Sequence, residues 1–108
     1  MPLDWSIVKQ KYGAGYDVPT VTGGKFLRIS GVDDEAIHIE SPIWKAKLHR
    51  VNIEKGVALI EAGTISRDPG LFAEDYMLYV AHERATSVTH ILRDLGILDR
   101  TETFSIRC

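Results

Sequence analysis

The stretch KFLRISGVDDEAIHIESPIWKAKLHR, residues 25–50, decides the fold because its apolar side chains recur at every second position. Such alternation predicts β-strands with one buried face. Two alternating runs flank the acidic turn VDDE, so they are expected to pair as an antiparallel hairpin. In that register Ile29 faces Ile39 on an apolar face. Arg28 faces Glu40 on the opposite, charge-paired face.

The same alternation continues after a turn at Ser41 and Pro42, which predicts a third strand. Its apolar face consists of Trp44, Ala46 and Leu48. Its other face consists of Lys45, Lys47 and His49, with Arg50 next along the chain. The three strands are therefore expected to form an antiparallel meander with one face against the core and the other in water.

Helical spacing comes before this sheet. Asp4 predicts the cap of a short N-terminal helix that ends at Gly13. The apolar side of that helix consists of Trp5, Val8 and Tyr12. The segment GAGYDVPTVTGG, residues 13–24, is rich in turn residues and is expected to be a loosely built linker.

Helices are also expected after the sheet. The first covers residues 52–62, with Asn52 as its cap and Gly63 as its end. Its buried stripe consists of Ile53, Val57 and Ile60. The next helix begins at Asp68 and Pro69, a capping residue followed by proline at the first helical position.

The helical pattern then changes phase. One apolar stripe consists of Phe72, Tyr76 and Tyr79, and a later one consists of Val88, Ile91, Leu92 and Leu95. The two stripes are about 120° apart on a continuous helix, which predicts a break between Ala81 and Ser87. Gly96 is expected to end the last helix. The segment TETFSI, residues 101–106, is compatible with a short edge strand.

These elements predict an α+β fold in a single domain, residues 1–108. A short N-terminal helix precedes the three-stranded meander, which packs on about three C-terminal helices. The formal net charge is −2, so attraction to a polyanion requires a local basic patch. The start MPLDWSIVKQKYG has no signal-peptide pattern, and no apolar run would span a bilayer. A cytoplasmic protein without membrane contact is expected.

Residue types that carry catalysis do not converge in the sequence. His82 and His90 are eight positions apart, about 12 Å along one helix, which is too far for a shared metal ion. The chain contains no H-E-x-x-H, C-x-x-C or G-x-S-x-G motif, and its one cysteine is Cys108. No metal, cofactor or catalytic residue is predicted, and an enzyme is the less favoured class.

Two surfaces are candidates for binding. The first is the polar face of the sheet, which would present Arg28, His38, Lys45 and Lys47, with His49 and Arg50 at its end. Glu40 would lie between Arg28 and Lys45 and offset part of their field, so phosphate binding there would be weak and salt-sensitive. The ordinary alternative is a solvated strand face.

The second candidate lies on the last helix. Its polar side consists of Thr86, Thr89, His90 and Arg93. Short hydrogen-bonding side chains and one arginine at this spacing could enter a major groove. Every amphipathic helix has a polar side, however, so a solvated helix face is the competing interpretation.

Three segments together resemble a small bacterial α+β module that accompanies HNH or restriction-type nucleases as a non-catalytic part. They are GKFLRISGVDDEAIHIE, RVNIEKGVALIEAG and VTHILRDL, within residues 24–95. The resemblance lies in apolar pattern and turn placement. It implies an accessory or recognition module that acts with another protein, and it transfers no functional residue.

The leading hypothesis is a non-enzymatic interaction domain that associates with nucleic acid through the basic sheet face around Lys45 and Lys47. The alternative is a small enzyme or ligand-binding protein with a pocket between sheet and helices or at a homodimer interface. Histidines that converge with carboxylates in one cleft would favour this alternative. Tyr76 and Tyr79 are candidates for a homodimer contact.

Overall fold

A computed structural model describes residues 3–20 and 24–99 of the chain. Helices and strands follow one another in the order α1 (Trp5–Tyr12), β1 (Tyr16–Pro19), β2 (Phe26–Val32), β3 (Ala36–Ser41), β4 (Trp44–His49), α2 (Arg50–Glu61), α3 (Pro69–Tyr79) and α4 (Ala85–Asp94). The α+β class is confirmed. The edge strand considered for residues 101–106 lies outside the described residues.

The sheet is antiparallel throughout, with strand order β1-β2-β3-β4. The predicted hairpin register is confirmed, with Arg28 opposite Glu40 and Ile29 opposite Ile39. A bulge at Ser30, which the alternation did not indicate, then shifts the register by one residue. Unbroken alternation after Leu27 and Ile29 would turn Gly31 towards the core. Because of the extra residue, Val32 packs against the core instead.

The expectation of a linker over residues 13–24 is wrong in part, because β1 lies within it. Val18 is fully buried, and β1 pairs with β2 so that Val18 lies opposite Leu27. Within the described residues, the sheet therefore has four strands instead of three. With only four residues and glycines on both sides, β1 has little periodicity of its own, and pairing with β2 stabilises it.

The start predicted for α2 is also wrong. The helix begins at Arg50, two residues before the predicted cap, and Asn52 lies in its first turn. The residue at the cap position, His49, makes no side-chain cap hydrogen bond. The predicted buried stripe of Ile53, Val57 and Ile60 is confirmed.

Signals at the ends of the other helices are confirmed. Asp4 caps α1, and Asp68 caps α3 by accepting a hydrogen bond from the backbone N–H of Gly70. The predicted break between α3 and α4 is present, although α4 already begins at Ala85. Of the two tyrosines considered for a homodimer contact, Tyr76 is fully buried and therefore unavailable, whereas Tyr79 is 46% exposed.

The core lies between the inner sheet face and the helices. In the packing, α1 contacts β2, α4 contacts β1 and α2 contacts β4. The largest fully buried side chains include Tyr12, Phe72, Tyr76 and Leu92. None of the helices in the described ranges has the length and apolar content that a bilayer crossing needs. The other face of the sheet is left open.

Candidate interaction surface on the open face of the sheet

The open face collects polar side chains from all four strands. We call it the outer face and define it by Asp17, Phe26, Arg28, Ser30, His38, Glu40, Lys45 and Lys47, the positions that alternate with the buried residues of each strand. Phe26 is the exception in character, because its aromatic ring is 68% exposed. Phe26 is the first residue of β2, and an exposed aromatic side chain at the end of a strand can stack against a planar ligand.

Strand register places the predicted basic residues side by side. Lys47 lies opposite His38, and Glu40 lies between Arg28 and Lys45 on the neighbouring strands. The structure thus brings together the four residues predicted for this face. It also places the carboxylate of Glu40 at the expected position among them.

The cations of the outer face differ in their partners. The guanidinium of Arg28 is 3.3 Å from a carboxylate oxygen of Asp17, and the imidazole of His38 is 2.7 Å from a carboxylate oxygen of Asp33. In contrast, Lys45 forms no ion pair with any residue in the described ranges, and the same is true of Lys47. Both lysines are exposed. Their ammonium groups are therefore available to an incoming anion.

The outer face is a shallow groove. One depression of about 380 Å³ is lined mainly by His38, Glu40, Lys45 and Lys47. A second depression, of about 360 Å³, is lined by Phe26, Arg28, Glu40, Ser41 and Pro42. Because both contain Glu40, they join into a diagonal path from Phe26 on β2 to the lysines on β4. From Phe26 to the lysines, this path crosses two strand spacings, about 10 Å, and advances two to four residues along the strands, so its length is about 12–17 Å.

Asp33 holds the hairpin tip beside this groove. One of its carboxylate oxygens accepts hydrogen bonds of 2.8 Å from the backbone N–H groups of Glu35 and Ala36, and the other contacts His38. The hydrogen bond with His38, followed by those with the backbone, lowers the pKa of Asp33 to about 2. The acidic turn is thus a structural device that also positions His38.

His49 and Arg50, predicted at the end of the basic face, are occupied elsewhere. The imidazole of His49 contacts the carboxylate of Glu83. Arg50 stacks over the ring of Trp5 at 5.2 Å and forms a 3.0 Å ion pair with Glu54. Both residues therefore hold the junction of β4 and α2 together.

Glu83 was not identified from the sequence. It lies between α3 and α4, next to Arg84, whose left-handed backbone (φ 45°) is rare for a residue with a side chain. Its carboxylate accepts hydrogen bonds from the backbone N–H of His49 at 2.9 Å and from the side chain of Asn52 at 3.1 Å. Burial raises the pKa of Glu83, but the bonds from His49 and Asn52 outweigh burial, and the pKa is lowered. Glu83 thus caps α2 from a distant part of the chain, which no local pattern encodes.

The last helix does not present the face that was predicted. Thr89 is buried, and its hydroxyl donates a 2.8 Å hydrogen bond to the carbonyl of Ala85. His90 and Arg93 are half-buried, and only Thr86 of the predicted set is exposed. Burial, with a smaller effect of Arg93, lowers the pKa of His90. The predicted polar face is therefore only partly exposed, without Thr89, and its contact with a major groove stays a prediction.

A histidine meets a carboxylate, the pairing that would favour an enzyme, at His38 with Asp33 and at His49 with Glu83. His49 and its partner Glu83 adjoin a depression of about 340 Å³ whose lining includes Glu35, Arg50 and Glu54. Among the described residues, no hydroxyl or thiol is hydrogen-bonded to His49, so a nucleophile is not paired with this base. Within the same residues, no group of three or more metal-ligating side chains is assembled.

Comparisons with protein families, curated proteins and solved structures found no match to this chain. The resemblance to a nuclease-associated module therefore stays a prediction. The functional argument rests on the geometry of the outer face.

Proposed function

We propose that this protein is a non-enzymatic interaction domain that binds single-stranded nucleic acid through the outer face of its sheet. One observation carries the proposal: the exposed side chain of Phe26 shares the outer face with Lys45 and Lys47, two exposed lysines that form no ion pair with any described residue. Single strands are bound by this combination of an aromatic platform and a basic track.

Each part of the outer face has a separate task in this proposal. A base stacks on Phe26, which discriminates little between bases because every base has a π-face. The backbone then crosses β3 towards β4, where Lys45 and Lys47 contact phosphates. The path of about 12–17 Å suits a strand of a few nucleotides.

Glu40 and the net charge limit the affinity. The carboxylate of Glu40 lies in both depressions and repels phosphate. The whole molecule has a formal net charge of −2, so it provides no long-range attraction. Weak binding of this kind suits an accessory module that acts beside another protein, as the resemblance implies.

Fluorescence anisotropy with a labelled single-stranded oligonucleotide, at several salt concentrations, tests the proposal. Contacts from Arg28, Lys45 and Lys47 predict a slope of log affinity against log salt of about −2, at about 0.7 per contact. Lys45→Gln/Lys47→Gln should reduce the slope by about 1.4 and weaken binding at low salt. Phe26→Ala should weaken binding by about tenfold without changing the slope.

A matched control separates the groove from overall charge. Lys55→Glu changes the net charge by the same two units as the double lysine variant, but it lies on the exposed side of α2. The control should bind as the wild type does. Equal losses in the control and the double variant would refute the assignment of the groove. Equal binding of duplex and single strand, with no effect of Phe26→Ala, would refute the stacking role.

A further inference from the structure

Glu40 lies where the two depressions of the outer face meet, and it is the acidic residue that both of them share. Arg28 and Lys45 lie opposite it on the two neighbouring strands. Neither cation forms an ion pair with it, because the guanidinium of Arg28 contacts Asp17 and Lys45 has no carboxylate within ion-pair distance among the described residues. The carboxylate of Glu40, flanked by two cations and paired with neither, is available to a ligand.

The chemistry of a carboxylate restricts what Glu40 can bind. When ionised it only accepts hydrogen bonds, and its two oxygens suit two parallel N–H groups on one planar partner. It repels phosphate, so the sugar–phosphate backbone is the wrong part of a nucleic acid for this position. The edge of a base is the part that supplies N–H donors.

A base stacked on Phe26 brings its edge towards Glu40. Phe26 lies two residues before Arg28 on β2, and Arg28 lies directly opposite Glu40. Phe26 and Glu40 are therefore diagonal neighbours on one sheet face, about 7–8 Å apart. The base covers part of this distance and a hydrogen bond of about 3 Å covers the rest. Both residues line the same depression of about 360 Å³.

The bases differ in the donors that they offer to a carboxylate. Guanine has two adjacent donors, N1–H and N2–H, on its Watson–Crick edge. Adenine and cytosine have one amino group beside a ring nitrogen that accepts, and thymine and uracil have one N–H between two carbonyl oxygens. An accepting atom next to the donor faces the second carboxylate oxygen and repels it. Guanine alone therefore matches both oxygens of Glu40.

We propose that the outer face selects single strands that contain guanine, and that Glu40 is the residue that determines this selectivity. The inference rests on the proposed function, because Phe26 has to hold the base. Stacking on Phe26 accepts any base, whereas the two hydrogen bonds to Glu40 are specific for guanine. These bonds also offset the repulsion between Glu40 and the phosphates.

Fluorescence anisotropy of the whole chain with two labelled strands tests the inference. One strand is all thymine, and the other has a single guanine at its centre, which avoids the four-stranded assemblies of guanine runs. The wild type should bind the guanine strand about tenfold more tightly, the effect of one bidentate base contact. Hypoxanthine in place of guanine lacks the N2 amine and should lose most of this preference. Adenine stacks equally well without the donor pair and should gain less than about threefold.

A variant of Glu40 and a matched control assign the selectivity to one side chain. Glu40→Gln should reduce the preference for guanine to less than about twofold. The same variant should bind the all-thymine strand more tightly, because it no longer repels phosphate. Glu74→Gln makes the same change in charge at an exposed position on α3 and should leave both affinities unchanged. Circular dichroism of each variant confirms that its fold is intact.

The outcomes separate this inference from the proposed function. If both strands bind and Phe26→Ala weakens them, but the preference for guanine is absent or survives in Glu40→Gln, the role of Glu40 is overturned and the proposed function stands. If neither strand binds, the proposed function fails and the selectivity fails with it.

Discussion

Removal of the Glu83 side chain should destabilise this protein, although Glu83 lies outside every helix and strand. In Glu83→Ala, the N-terminus of α2 loses the acceptor of the His49 backbone N–H and of the Asn52 side chain. Loss of a helix cap costs about 1 kcal/mol, and each hydrogen bond to a charged group is worth about 1.5–3 kcal/mol. His49 is exposed, so water can replace Glu83 as the acceptor of its backbone N–H. The free-energy costs of the two lost hydrogen bonds therefore do not add in full. We expect a loss of about 2 kcal/mol.

Urea unfolding followed by circular dichroism measures this loss, which corresponds to a melting temperature about 10 °C lower. Glu54→Ala is the control, because Glu54 belongs to an ordinary i,i+4 pair with Arg50 and should cost only about 0.5 kcal/mol. A Glu83→Ala variant no less stable than Glu54→Ala would refute the capping role.

The pH dependence gives a second check on Glu83. Its pKa is lowered in the folded protein, so the stabilisation is complete above the ordinary value of 4.5 and is lost as the pH falls through the folded value. The difference in stability between the wild type and Glu83→Gln should therefore shrink on acidification below that point. A difference that stays constant would mean that the charge of Glu83 does not contribute.

Two further predictions concern Gly56 and Asp33. A Cβ atom at Gly56 would lie 2.8 Å from the buried ring of Tyr76, so Gly56→Ala should destabilise by about 1 kcal/mol despite the higher helix propensity of alanine. Ala58→Gly, at an exposed position of the same helix, should lower the free energy of unfolding by about the same amount. Helix propensity alone would instead predict that Gly56→Ala stabilises the protein and Ala58→Gly destabilises it, and urea unfolding of both variants distinguishes the two cases. The pKa of Asp33 is lowered from 3.8 to about 2, so its ionised carboxylate stabilises the fold above pH 3.8 and this stabilisation is lost as the pH falls from 3.8 to about 2. Asp33→Asn should therefore lose less stability than the wild type over that pH range. Urea midpoints measured against pH would contradict this if both proteins kept the same acid slope.

Features that depend on neighbouring residues were predictable. The hairpin register follows from alternation around the acidic turn, and the helix starts at Asp4 and Asp68 follow from capping chemistry. The break between α3 and α4 follows from the phase of apolar residues. The grouping of Lys45 and Lys47 with Arg28 follows from strand register alone. These signals are local, or need only the pairing of adjacent strands.

By itself, the sequence thus determined the α+β class, most of the elements and which residues share the outer face. Tertiary structure decided the rest. Strand β1 forms because it pairs with β2, and Thr89 is buried because α4 packs against α3 and β1. Glu83 accepts a hydrogen bond at the start of α2, a helix to which it does not belong. It also decided that Lys45 and Lys47 form no ion pair with any described residue, whereas His49 contacts Glu83. The physical reason is that periodicity specifies which side of an element is apolar, whereas the neighbours that cover each side are specified only when the whole chain packs.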